Sequence, residues 1–167
     1  MDERATVLLN RPQDAPTDID HWIHDETRSQ LDRSAARLLP RQRRQLLEAG
    51  ILAPGTGGLV VLTLDRKLAQ RIMDCEQEYL VQVDVAPDSE SLKVRFAQAN
   101  ESDVKVSRQG EHQLRIILRK PGAAEIDKLC TDAGIAPVSI RRIRIGRMAL
   151  GKLEAGQWRL LLPMERF

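Results

Sequence analysis

The sequence has little cysteine. Cys75 and Cys130 are the only two among 167 residues, too few for a disulfide framework and without the spacing of a zinc site, so both are expected as buried free thiols. No apolar run approaches the roughly 18 residues a spanning helix needs, which excludes a helical membrane protein. The N-terminus places two acids, Asp2 and Glu3, ahead of a short apolar run, which does not read as a secretory signal and points to the cytoplasm. Internal repeats, low-complexity tracts and linkers are also missing. Nor is there a strong excess of charge of one sign: the net charge is +2, so electrostatics over the whole chain neither demand nor exclude a nucleic-acid partner.

The remaining composition is that of a globular protein, with 42% apolar and 30% charged residues. At this length the chain is expected to form a single domain over 1–167, large enough to bury a core. Thr6–Leu9 reads as a first strand stopped by Pro12. Ile19, Trp22 and Ile23, then Leu31, Ala35, Leu38 and Leu39, recur at three- and four-residue spacing, predicting helix between Pro16 and Pro40, with Pro40 ending it. Leu46–Leu52 and Leu59–Thr63 read as strand pieces around a Pro-Gly-Thr-Gly-Gly turn. A helix is predicted over Lys67–Met73. Tyr79–Val85 alternates with period two, so Tyr79, Val81, Val83 and Val85 should share one face. Ser89–Ala99 is predicted helical, opened by Asp88 or Ser89. Val104–Val106 and Gln113–Leu118 should pair through Gln109-Gly110. A helix over Gly122–Ala133 should stop at Gly134, and strands follow at Val138–Ile145 and Gln157–Leu162. Helices set between groups of strands predict an α+β fold on a mixed, mainly antiparallel sheet with flanking helices.

Several features invite chemistry and carry little. Gly55, Thr56, Gly57 and Gly58 have no Gly-Lys-Ser/Thr after them, so they read as a turn and not a phosphate cradle. His21 and His24 stand three apart with no third ligand near, which suits solvent or capping roles better than a metal. Two basic clusters remain. Arg41, Arg43 and Arg44 are candidates for phosphate contact or simply a solvated face, and Arg141, Arg142, Arg144 and Arg147 lie in a strand pattern. On a regular strand, Arg142 and Arg144 share one face and Arg141 takes the other.

The stretch Gly50–Thr63, G-I-L-A-P-G-T-G-G-L-V-V-L-T, resembles the central motif of the RsuA-type bacterial rRNA pseudouridine synthases: G-R-L-D, two variable residues, Thr or Ser, one variable residue, Gly, then an apolar strand ending in Leu-Thr. The likeness runs from Val7 to Leu161. V-L-L-N-R-P resembles the family's first strand and Asn-Lys-Pro turn, and E-Q-E-Y-L-V-Q-V its E-K-x-Y-x-V-x-V. Arg142, Ile145, Gly146, Leu150, Gly151, Leu153, Gly156 and Arg159 match its closing pattern. The resemblance implies a pseudouridine synthase-like catalytic domain without the family's S4-type RNA-binding module, chemistry that needs no cofactor, and structured RNA, rRNA or a ribosomal particle, as partner.

The departures fall where the family's chemistry lies. Its catalytic aspartate falls on Ala53, the preceding arginine on Ile51, the lysine before the active-site tyrosine on Gln77, and the third motif's arginine and second basic position on Ala124 and Asp127. Thr56 and Tyr79 are retained, the latter for base stacking or for the core. Alanine offers no nucleophile. Losing both members of a buried ion pair can be neutral where losing one is costly. The resemblance therefore implies a silent homologue with a vestigial cleft of Ala53, Thr56, Tyr79, Ala124, Ile126 and Leu129. RNA would be held by Arg141, Arg142, Arg144, Arg147, Lys128, Arg41, Arg43 and Arg44. Two alternatives stand beside it. One is an active synthase using another acid, from Glu48, Asp65, Glu125 or Asp127. The other is a domain whose old cleft holds a protein segment.

Overall fold

The computed structural model describes residues 4–16, 18–99, 104–119 and 126–167. The strands are β1 (Thr6–Arg11), β2 (Leu47–Ala49), β3 (Gly57–Thr63), β4 (Gln77–Val83), β5 (Val104–Gly110), β6 (Gln113–Leu118), β7 (Pro137–Ile145), β8 (Met148–Ala149) and β9 (Trp158–Leu160). Five helices accompany them among these residues: α1 (Ile19–Trp22), α2 (Pro40–Gln45), α3 (Arg66–Ile72), α4 (Ser89–Ala99) and α5 (Ile126–Asp132). The strands make one sheet in the order β5-β6-β4-β7-β3-β1-β9, with β2 added beside β3 and β8 beside β7. Every ladder is antiparallel except β3 with β7, which runs parallel over Gly57–Arg141 and Gly58–Arg142. The α+β, mainly antiparallel architecture predicted from element order is the one observed.

β3 is apolar along its whole length because both faces of the sheet are covered there. Val60 and Leu62 join Val7, Leu9, Tyr79 and Val81 in one core. Leu59 and Val61 join Leu8, Leu68 and Ile72 in the other. Burying each such side chain contributes about 1.5–3 kcal/mol, so this strand and β1 anchor the loops at their ends.

The predicted helix between Pro16 and Pro40 is not formed. Only α1 and a single 3-10 turn at Asp25–Thr27 are helical, and residues 28–39 form no helix, with a turn at 30–31 closed by Asp32 N donating to Ser29 O. Local side chains compete for the backbone: Ser29 Oγ accepts from Leu31 N at 3.1 Å, and Asp32 Oδ1 from Ser34 N at 2.8 Å. The edge of β9 supplies the tertiary alternative. Ser29 N donates to Trp158 O at 2.7 Å, Leu160 N donates to Asp32 Oδ2 at 2.9 Å, and the Arg28 guanidinium lies over the Trp158 ring at 5.3 Å. Of the predicted apolar positions, Ile23 and Leu38 are buried, while Leu31, Ala35 and Leu39 are exposed. Pro40 opens α2 at its first position instead of closing a helix, where its missing N–H costs nothing.

Smaller differences have equally local causes. β4 ends at Val83, so Val85 leaves the shared face and is exposed. The β5–β6 hairpin pairs Gly110 with Gln113 and turns through Glu111-His112. Cys130 is buried as expected, which pushes its thiol up to about 12, whereas Cys75 is only partly buried.

One face of β4 carries an ion network. Glu78 accepts from Arg115 and, at 2.7 Å, from Arg144 Nε; Arg144 Nη2 also reaches Glu76 at 2.7 Å. Burial pushes the Glu78 carboxyl up, but the two arginine hydrogen bonds outweigh it and hold the group below the usual carboxylate range. A depressed folded pKa stabilises the protein above the unfolded value of about 4.3, and that stability is lost as pH falls through the folded value. Glu78→Gln is thus expected to lower stability at pH 7 and to flatten the acid limb in urea titrations between about pH 2.5 and 6. An unchanged acid limb would remove Glu78 as a contributor.

Candidate functional site

The loop from Gly50 to Thr56 joins β2 to β3, and its shape is set by hydrogen bonds to its backbone. Gly50 has φ +56. Glu48 Oε1 accepts from Leu52 N at 3.1 Å, and Thr56 N donates to Ala53 O at 3.1 Å, closing a turn. Leu52 and Thr56 point inward, while Ile51, Ala53, Pro54 and Gly55 are exposed.

Two buried guanidinium groups hold this loop from beneath. Arg11, at the end of β1, is 4% exposed, and its Nη2 lies 3.2 Å from the carbonyl oxygens of Leu52, Ala53 and Thr56. Arg142, on β7, is 0% exposed; its Nε donates to Leu59 O at 3.0 Å and its Nη1 to Gly50 O at 2.8 Å. Nη2 of Arg142 is buried, with no hydrogen-bond partner among the described residues. Burial pushes this guanidinium below the usual arginine range; Tyr79 and Glu48 act against that shift, and the neighbouring charge of Arg11 adds to it.

Tyr79 sits directly across from Arg142 in the β4–β7 ladder. It is 7% exposed, and its hydroxyl donates to Gln77 Oε1 at 2.6 Å. Burial raises its pKa, with the adjacent Arg142 pulling the other way, so the phenol is protonated at neutral pH. The retained tyrosine is therefore packed in the core and engaged with Gln77, the residue standing where the resemblance has a lysine.

The basic stretch of β7 is divided by a bulge. Glu78 lies across from Arg144 and Tyr79 across from Arg142, with a register shift between them that leaves Ile143 without a partner. Cross-strand partners project to the same side and successive residues of β4 to opposite sides. Arg142 and Arg144 therefore leave the sheet on opposite faces, contrary to the alternation expected of a regular strand. Arg142 is buried under the loop, and Arg144 is held by Glu76, Glu78 and Gly146 O. Neither belongs to an exposed cationic stripe. Arg141 and Arg147 are the exposed cations of this region, and Lys128 on α5 and Arg41 and Arg44 on α2 are exposed elsewhere. Arg43 is half-buried, with its Nε unpartnered.

Ile126 and Leu129 are each 6% exposed and pack in the core with Leu114 and Ile140, so they do not line an open cleft. Ala124 and Glu125 lie outside the described residues. The surroundings of Ala53 are accordingly not the apolar relic expected from an Ala53–Ala124 exchange, because Arg11 and Arg142 stand there. Sequence reasoning passed over Arg11, although its place in N-R-P, where the resemblance has a basic residue, was the available signal. A cavity of about 860 Å³ lies elsewhere, between residues 34–42, α3 and the last residues, and none of the vestigial cleft residues lines it.

Of the acids proposed as substitutes, Glu48 and Asp65 are engaged with backbone N–H groups, and Glu125 lies outside the described residues. Asp65 caps α3, accepting from Lys67 N and Leu68 N at 3.0 and 3.2 Å, and Asp127 is exposed on α5. Glu48 is bound to the loop backbone. Asp14 was not foreseen: it has φ +57, and its Oδ1 lies 3.8 Å from where a Cβ on Gly55 would sit. Among the described residues no group of three His, Cys, Asp or Glu could hold a metal, and no helix is long and apolar enough to cross a membrane.

No family model matches this chain, and no curated protein matches it. Solved structures do. A crystal structure of a pseudouridylate synthase superposes with TM-score 0.74 at 22% identity, covering 97% of this chain and 72% of that one. The archaeal box H/ACA sRNP Nop10–Cbf5 complex matches with TM-score 0.56 at 13% identity over 87% of this chain, which spans about half (49%) of the matched chain. The fold is that of the pseudouridine synthases.

Proposed function

We propose that the chain is a catalytically silent pseudouridine synthase homologue of the RsuA type that binds structured RNA, rRNA or a ribosomal particle, in the cytoplasm. The observation that carries this reading is Ala53. It stands in a loop held in place by Arg11 and Arg142 on a pseudouridine synthase fold, yet it has no group with which to attack a base. The relation of the matched structures to RNA, in an H/ACA sRNP, supports the choice of partner. The exposed cations Arg141, Arg147, Lys128, Arg41 and Arg44 supply the charge. They would read backbone and shape instead of bases. No cofactor enters this reading.

Filter binding with rRNA fragments tests it. The expected affinity falls linearly on a log scale with salt, and Arg141→Ala with Arg147→Ala reduces the slope by about 1–2. Affinity without salt dependence would end the RNA reading. One observation favours a second reading, an active synthase with a displaced acid: Asp14 lies beside the turn at Gly55.

A further inference from the structure

We propose that Arg142 and Arg11 form an anion site that takes a carboxylate brought by another molecule. Three partly buried arginines elsewhere in the described structure have carboxylate partners. Arg28 pairs with Asp32 at 2.9 Å, Arg144 with Glu76 and Glu78 at 2.7 Å, and Arg159 with Glu165 at 2.7 Å. Arg11 and Arg142 are more deeply buried than any of these, and among the described residues neither has an ion pair. Arg11 is met by carbonyl oxygens, Arg142 by two carbonyl oxygens with the Tyr79 hydroxyl also acting on it, and the two positive charges act on one another. The charge of Glu48 reaches Arg142, but one of its oxygens is engaged with Leu52 N.

Buried cations are ordinarily paired, and a buried donor without a partner is rare enough in native proteins to require a cause. Nη2 of Arg142 is such a donor. A carboxylate is the anion that fits, because a charge-assisted N–H···O bond to a single guanidinium nitrogen is stronger than one to a neutral acceptor. With Nε and Nη1 already engaged, a single free nitrogen suits a small monoanion better than a phosphate, whose additional oxygens would lack donors. Ala53, exposed and without a side chain beyond Cβ, lies over this pair, its carbonyl 3.2 Å from Arg11 Nη2. The exposed residues Ile51, Ala53, Pro54 and Gly55 are the segment through which it would enter. The carboxylate could be a free small acid or an Asp or Glu side chain of a polypeptide. The site is independent of RNA binding, so either reading can fail alone.

The test is a titration of the full chain with sodium acetate against sodium chloride at constant ionic strength, with an aspartate-containing peptide and inorganic phosphate as further arms. Melting temperature and the Nε–H NMR signal of Arg142 are read together. Acetate is expected to shift the Arg142 signal saturably and to raise the melting temperature by about 2–4 °C, as ligand linkage requires. A tighter response to the peptide assigns the carboxylate to a polypeptide, and a response to acetate alone assigns it to a free acid. Ala53→Asp supplies the group from within the chain; it should melt higher without acetate and no longer respond to it. An unmoved Arg142 signal, equal responses to chloride or phosphate, or an undiminished acetate response in Ala53→Asp would each overturn the proposal.

Discussion

Incubated with RNA carrying base-labelled uridine, the protein is expected to release no tritium above a control without protein. In the chemistry implied by the resemblance, one carboxylate attacks the flipped uridine, and the rest of the cleft positions it. Without that group the expected loss is on the order of ten thousand to a millionfold, at about 1.4 kcal/mol of barrier per decade. The surroundings of Ala53 reinforce the expectation. Glu48 is drawn back to Leu52 N, Asp65 is bound to the start of α3, and Tyr79 is held by Gln77. Arg11 and Arg142 stabilise the loop through its carbonyls and present no base. Asp14 is the acid whose position makes the measurement informative, being exposed and beside Gly55. Release above control that disappears in Asp14→Asn would replace the silent reading with an enzyme using a displaced acid. Release that survives in that variant would place the nucleophile elsewhere and also end the silent reading.

Gly58→Ala is expected to cost more than about 4 kcal/mol, out of a total that for a domain is about 5–15. Gly58, the second residue of β3, has φ +105, and it pairs with Arg11 on one side and Arg142 on the other. A Cβ there would stand 2.1 Å from Arg142 O and 2.7 Å from Arg142 N. Both atoms belong to the backbone of the neighbouring strand, so neither can swing aside as a flexible side chain could. The parallel β3–β7 contact would have to open, and with it the bonds that hold the motif loop. Gly151→Ala is the control: Gly151 has φ +54 but nothing within 4 Å of the added carbon. It should lose only the left-handed penalty of about 1–2 kcal/mol. Urea unfolding of the two variants separates steric contact from backbone preference. A Gly58→Ala loss no greater than that of Gly151→Ala would show that the β3–β7 approach relaxes freely.

Much of the molecule was legible in the chain itself. The apolar run Leu59–Thr63, the alternation read over Tyr79–Val85, and the helical spacings of Lys67–Met73 and Ser89–Ala99 each locate an element to within one or two residues at its ends, because burial on both faces, on one face or along one stripe leaves different periods. Asp88 was one of two candidate caps, and its carboxylate accepts from Ser91 N at 2.8 Å. The departure at Ala53 is a property of sequence alone.

Other features depended on partners distant in the chain. Leu31, Ala35 and Leu39 have a helix's spacing, yet the segment is not helical because Ser29 and Asp32 bind backbone groups of β9, more than a hundred residues away. No local window contains that competition. The division of labour between Arg142 and Arg144 turns on one unpaired residue, Ile143, since a single bulge reverses which face of a strand a side chain takes. Composition and spacing thus determined the α+β class and the positions of most strands, and the alanine at position 53, where the resemblance has an aspartate, is likewise read from the sequence. Only the tertiary structure decided which arginines are exposed and which lie buried under the loop, because strand register and bulges are set by the neighbouring strands.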